Sequence, residues 1–160
     1  MRAELGRNAR KRSLQYAIQA LPLLDAGMRL EIVGNGPYKE HLIRLIKGLG
    51  LEDRIDFYQG LPREELLHRY ANADLLVLLS RYESFGITVA EALASKTPCI
   101  VANTSALKEW VDGENCFGVD YPIVVSRLAE LINKVIGRAG GVKLWDWDDV
   151  VEETVRVYEG

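Results

Sequence analysis

Two glutamates, Glu83 and Glu91, stand eight positions apart in the run Glu83-Ser84-Phe85-Gly86-Ile87-Thr88-Val89-Ala90-Glu91. One carboxylate falls in a loop after an apolar stretch and the other about one turn inside the following helix. Gly86 allows the backbone to approach a ligand, and the first amides of the helix, at Ile87 and Thr88, form an anion site. A bound phosphate would be repelled by bare carboxylates, so both acids must face neutral hydroxyls or be balanced by cations. Sugar hydroxyls meet that requirement. Cations are at hand: five of the 20 basic residues fall in the first 12 positions, four of them in a loop opened by Gly6. Arg7 and Arg12 there carry planar forks suited to a diphosphate. A second glycine turn, Gly34-Asn35-Gly36-Pro37, is a G-x-G without the third glycine of a dinucleotide fingerprint. It also lacks an acid at the end of the next strand to hold a ribose, so a nicotinamide-dependent oxidoreductase is the weaker reading.

The elements that position these residues follow from periodicity. Short apolar runs at 3–5, 28–33, 54–59, 74–80 and 97–103 read as strands. The run at 74–80 is nearly continuous, as in a strand buried on both faces of a parallel sheet. Helical spacing links Leu14, Ala17, Ile18 and Leu21 after Ser13, a candidate N-cap. It recurs in Leu42, Leu45, Ile46 and Leu49, with Pro37 expected at the helix start and Gly48 and Gly50 at its end. Further helices are expected from Pro62 through Ala71, over 87–94, 106–111 and 123–136, and finally over 145–158; residues 112–120 form a turn with a brief strand. Alternation of this kind specifies an α/β, Rossmann-like three-layer domain with a mostly parallel sheet and right-handed crossovers. Ligands of such sheets bind beyond the carboxyl ends of the strands.

Composition limits the function classes. The chain has 160 residues, 48% hydrophobic and 27% charged, with a net charge of −3. That fits one domain and excludes a collagenous or disordered chain. The basic cluster has no interleaved aromatics, so no nucleic acid partner is expected. No apolar run approaches the length of a membrane span, so no transmembrane segment is expected. With no signal-like start and only Cys99 and Cys116, the chain reads as cytoplasmic.

The segment E-S-F-G-x4-E resembles the Glu-x7-Glu motif of retaining GT-B glycosyltransferases of family 4. The stretch GRNARKRSLQYAIQAL, the long run from LEIVGNGP to PCIVAN, VDGENCFGV and WDWDDVVEETVRVYE are similar to the same family in the same order. The resemblance spans about the whole chain and implies one half of a GT-B fold, the C-terminal donor-binding domain. The N-terminal acceptor domain would then be absent and 1–160 a fragment whose isolated form is inactive. The implied reaction moves a sugar from a UDP- or GDP-sugar donor to an acceptor hydroxyl with retention, without a metal or other cofactor. Peripheral membrane association of the full-length protein is compatible with it.

Position by position, the resemblance gives Arg7 and, where the family usually has lysine, Arg12 to the donor diphosphate, next to Gly6. It gives Glu83 to the donor sugar, Ser84, Phe85 and Gly86 to the loop at the sugar, and Ile87 and Thr88 to the phosphates. Glu91 would take the ribose hydroxyls, Gly34 and Gly36 would line the nucleotide, and Leu61 and Pro62 would lie near the base. Ser84, Ser95-Lys96 and Ser105-Ala106 replace frequent glycines. A stand-alone nucleotide-sugar binding module is the alternative function. Asp146-Trp147-Asp148 spells a D-x-D, but at a helix start it reads as an N-cap. Trp145 and Trp147 are expected to anchor the last helix. His41 and His68 read as surface residues and Cys99 as a small buried one.

Overall fold

The computed structural model describes residues 13–136 in full and residues 2–5 as backbone. In chain order the elements are β1 (Arg2–Leu5), α1 (Leu14–Ala20), β2 (Leu30–Gly34), α2 (Lys39–Leu49), β3 (Ile55–Tyr58), α3 (Arg63–Ala71), β4 (Leu76–Leu78), α4 (Ile87–Ala94), β5 (Cys99–Ala102), β6 (Cys116–Val119) and α5 (Val125–Ile136). A 3-10 helix, Ser105–Trp110, joins β5 to β6. The strands form one sheet in the order β3-β2-β1-β4-β5-β6, and every pairing is parallel. This is the Rossmann-like half of a GT-B fold expected from the sequence.

Strand β4 explains the layering. Leu75, Val77 and Leu79 join one core with α1, α2 and α5, while Leu76 and Leu78 join a second with α3, α4 and the 3-10 helix. A strand covered on both faces cannot alternate apolar with polar, which is why its sequence is nearly all leucine and valine. Strand β5 splits in the same way, Ile100 to the first core and Cys99 and Val101 to the second. Both cysteines are buried thiols; burial pushes Cys99 well up and Cys116 to about 12.

Several boundaries depart from expectation. Helix α2 begins at Lys39, not Pro37, because Gly36 to Lys39 first forms a turn in which the Lys39 N–H donates to the Gly36 carbonyl at 3.1 Å. Gly48 lies inside α2; only Gly50, at φ 64°, ends it, with the Leu51 N–H reaching back to the Ile46 carbonyl. Ser13 takes the N-cap position of α1, but its side chain makes no capping bond and its backbone is already helical. The helix expected at 106–111 is the 3-10 segment. The expected final helix, with Trp145, Asp146, Trp147 and Asp148, lies outside the described residues.

Candidate functional site

The sheet order places the site. The chain runs outward from β1 to β2 and β3, then returns to the other side of β1 and runs outward again through β4, β5 and β6. The order reverses between β1 and β4, and sheets of this kind bind their ligands outside the carboxyl ends of the strands at such a switch point. Two segments leave that edge: the chain after Leu5, and the segment from Leu79 to Gly86. The first carries Gly6, Arg7 and Arg12, which lie outside the described residues. The Gly34–Gly36 turn follows β2, one strand away from the switch point. The first βα turn is where a dinucleotide fingerprint belongs, so topology adds to the missing third glycine against the oxidoreductase reading.

The loop after β4 is stitched from below. The Thr104 hydroxyl donates to the Ser80 carbonyl at 3.1 Å, and the Glu83 N–H donates to Ser105 Oγ at 2.9 Å. The Trp110 indole N–H donates to the Phe85 carbonyl at 2.7 Å while its ring meets Phe85 edge-on, centroids 5.5 Å apart. Tyr121 donates its hydroxyl to the Leu79 carbonyl, and burial pushes that phenol up to about 12, so it stays a neutral donor. Above this floor Ser84, Phe85 and Ile87 are exposed, and Glu83 and Thr88 half-buried.

Gly86 starts α4 at φ 91°, ψ 45°. A Cβ there would lie 3.1 Å from Leu107 Cδ2 and 3.2 Å from Trp110 Nε1. Sequence reasoning assigns this glycine to ligand approach; the structure adds a second requirement for it, the positive φ and the packing of the 3-10 helix. The first intrahelical bonds of α4 run from Val89 and Ala90 to the Gly86 carbonyl. The amides of Ile87 and Thr88 therefore lie in the first turn, where no helical carbonyl precedes them.

Glu91 lies on the second turn of α4. Its Oε1 is 2.9 Å from Arg63 Nη1, and the side chains are 14% and 75% exposed respectively. The carboxylate is held inward, and the cation sits at the surface. Arg63 is the first residue of α3 and directly follows Leu61 and Pro62, so the pair ties the Leu61-Pro62 turn to Glu91. This contact also supplies one cation of the kind the acid pair requires. Arg63 is not flagged by the sequence, since nothing local ties it to a residue 28 positions on. Thr104, Trp110 and Tyr121 escape for the same reason.

Among the described residues no group of three or more His, Cys, Asp or Glu could hold a metal, and no helix is long and apolar enough to cross a membrane. His41 and His68 are exposed. A cavity of about 280 Å³ lined by Met28, Arg29, Glu31, Asn72 and Asp74 opens at the opposite, amino edge of the sheet, away from this site.

The family model for glycosyl transferases group 1 matches residues 3–139. The chain belongs to this family. An uncharacterized glycosyltransferase of Methanocaldococcus jannaschii is 29% identical over 97% of this chain and 43% of its own length. The GDP-mannose-dependent alpha-(1-6)-phosphatidylinositol monomannoside mannosyltransferase of Mycolicibacterium smegmatis is 29% identical over 89% of this chain and 43% of its own. The crystal structure of Anabaena HepE in complex with UDP superposes with a TM-score of 0.75 at 26% identity, covering 85% of this chain and 38% of that one. The group 1 chain described here thus spans less than half the length of these relatives.

Proposed function

We propose that this group 1 domain binds a nucleoside-diphosphate sugar at the switch point between β1 and β4, and that it is the donor-binding, C-terminal half of a retaining glycosyltransferase. The observation that carries the reading is the inward-held Glu91 carboxylate, tied at 2.9 Å to Arg63 beside the Leu61-Pro62 turn. A carboxylate so placed accepts hydrogen bonds from the two ribose hydroxyls while its charge is balanced. Leu61 and Pro62 flank the base, with Gly34 and Gly36 on the nucleotide side. The α4 amides at Ile87 and Thr88 face the diphosphate together with Arg7 and Arg12. Glu83, in the loop of Ser84, Phe85 and Gly86, orients the donor sugar.

In transfer, the anomeric C1–O bond to the β-phosphate breaks and a C1–O bond to the acceptor hydroxyl forms on the same face. The acceptor proton passes to the departing diphosphate. Negative charge grows on that diphosphate, and helix amides with fixed guanidinium groups stabilise it without a cation. The acceptor side belongs to a further domain, consistent with the length of the relatives, and the domain alone binds donor without turning it over. A cytoplasmic location fits this use of nucleotide sugars. Relatives act with GDP-mannose or bind UDP, so both bases are tested.

Calorimetric titration of the 160-residue chain with UDP, GDP, ADP and NAD, each with and without magnesium, tests the proposal. Metal-independent binding of UDP or GDP is the expected result. Binding of NAD alone, or of no nucleotide, would overturn it.

A further inference from the structure

Two non-glycine residues among those described have positive φ, Lys96 at 63° and Ser105 at 46°. Lys96 has an ordinary cause. It follows the last turn of α4, where the Lys96 N–H returns to the Leu93 carbonyl and the Thr97 N–H to the Ala92 carbonyl, a left-handed helix stop. Ser105 ends no helix; it begins the 3-10 segment after an extended Thr104. An L side chain in that region is disfavoured against glycine by roughly tenfold in the folding equilibrium, so its retention needs a compensating contact.

That contact is with Glu83. The Ser105 hydroxyl accepts the Glu83 N–H at 2.9 Å, across 22 positions of sequence and in a half-buried setting. The Ala106 N–H faces the Glu83 carbonyl at a longer 3.5 Å. Glu83 lies in a loop, where no helix or strand ladder engages its amide. The flanking stitches, Thr104 to Ser80 and Trp110 to Phe85, hold the loop on either side of it. Backbone strain that sits on a residue touching a site loop is the pattern expected where geometry is fixed for function.

We propose that Ser105 is a positioning residue: its strained backbone brings the hydroxyl onto the Glu83 amide and so aims the Glu83 carboxylate at the donor sugar. This rests on the donor-sugar reading of Glu83. Glycine is the informative substitution, because it relieves the strain while deleting the hydroxyl.

The test compares Ser105→Gly with the wild-type chain for thermal stability and for binding of UDP, UDP-glucose, GDP and GDP-mannose. Ser105→Gly is expected to keep or raise the melting temperature. It is expected to bind the nucleoside diphosphate within about twofold of wild type and the matching nucleotide sugar roughly three- to tenfold more weakly, the loss typical of one hydrogen bond. In a Glu83→Ala background the extra loss is expected to disappear. Unchanged sugar binding by Ser105→Gly would overturn the proposal alone. So would equal weakening of diphosphate and sugar, or a loss that persists without the Glu83 side chain. Failure of the wild-type chain to bind any of the four would instead refute the donor reading beneath it.

Discussion

Gly86→Ala probes the joint between the site loop and α4. The backbone there has φ 91°, well beyond the left-handed well near 57°, so any L residue costs at least about 1–2 kcal/mol. The new methyl would lie 3.1 Å from Leu107 Cδ2 and 3.2 Å from Trp110 Nε1. Leu107 is fully buried, so it has little room to yield, and overpacking of this kind adds about 1 kcal/mol or more. Displacing Trp110 also stretches its 2.7 Å bond to the Phe85 carbonyl, worth about 0.5–1.5 kcal/mol. The sum is a loss of about 3 kcal/mol, large but within the 5–15 kcal/mol usual for a domain. Urea unfolding of wild type, Gly86→Ala and Trp110→Phe measures it; Trp110→Phe removes the bond and opens space beside position 86. The double variant should recover part of the Gly86→Ala loss. A Gly86→Ala variant within about 0.5 kcal/mol of wild type would refute the assigned φ and packing.

Arg63→Ala is expected to weaken UDP or GDP binding roughly three- to tenfold, because it unmasks the Glu91 charge beside a diphosphate. Arg63→Lys should lose less, and the effect should shrink at high salt, by calorimetry at two ionic strengths. Asp112 organises the turn before β6: its Oδ1 accepts the N–H groups of Glu114, Asn115 and Cys116, each at 2.8 Å. Burial pushes that carboxyl up, but these amides and the Asn115 side chain outweigh it and hold the group below its usual range. Its stabilisation is therefore complete above the unfolded carboxyl pKa of about 4 and lost as pH falls through the lower folded value. Asp112→Ala should cost about 1–2 kcal/mol near pH 7 in urea melts, with the gap to wild type closing in strong acid.

Much of the fold can be read from the sequence because two-sided burial and helix periodicity leave strong local marks. The buried β4 run and the bounds of α4 are examples. Pro37 misleads because proline suits both the first turn of a helix and the tight turn before one, and the Gly36–Lys39 turn decides between them. The placement of Glu83 in a loop and of Glu91 on the following helix is also legible, by spacing. What supports it is not, since Arg63 reaches Glu91 across 28 positions and Ser105 reaches Glu83 across 22. Such contacts depend on how α3 packs on α4 and on where β5 delivers the chain. The replacement of expected glycines at Lys96 and Ser105 is a visible signal, however, for these two positions adopt positive φ.

The most direct test of the central claim asks whether Glu91 reads ribose. Affinities for UDP and its 2′,3′-dideoxy analogue, or the guanosine pair if GDP binds, are measured for wild type and Glu91→Ala. The wild-type chain is expected to prefer the ribose form by about tenfold or more, and Glu91→Ala to lose that preference while binding the dideoxy form at least as tightly as wild type does. Equal discrimination by both proteins would contradict the placement of the nucleotide at this carboxylate.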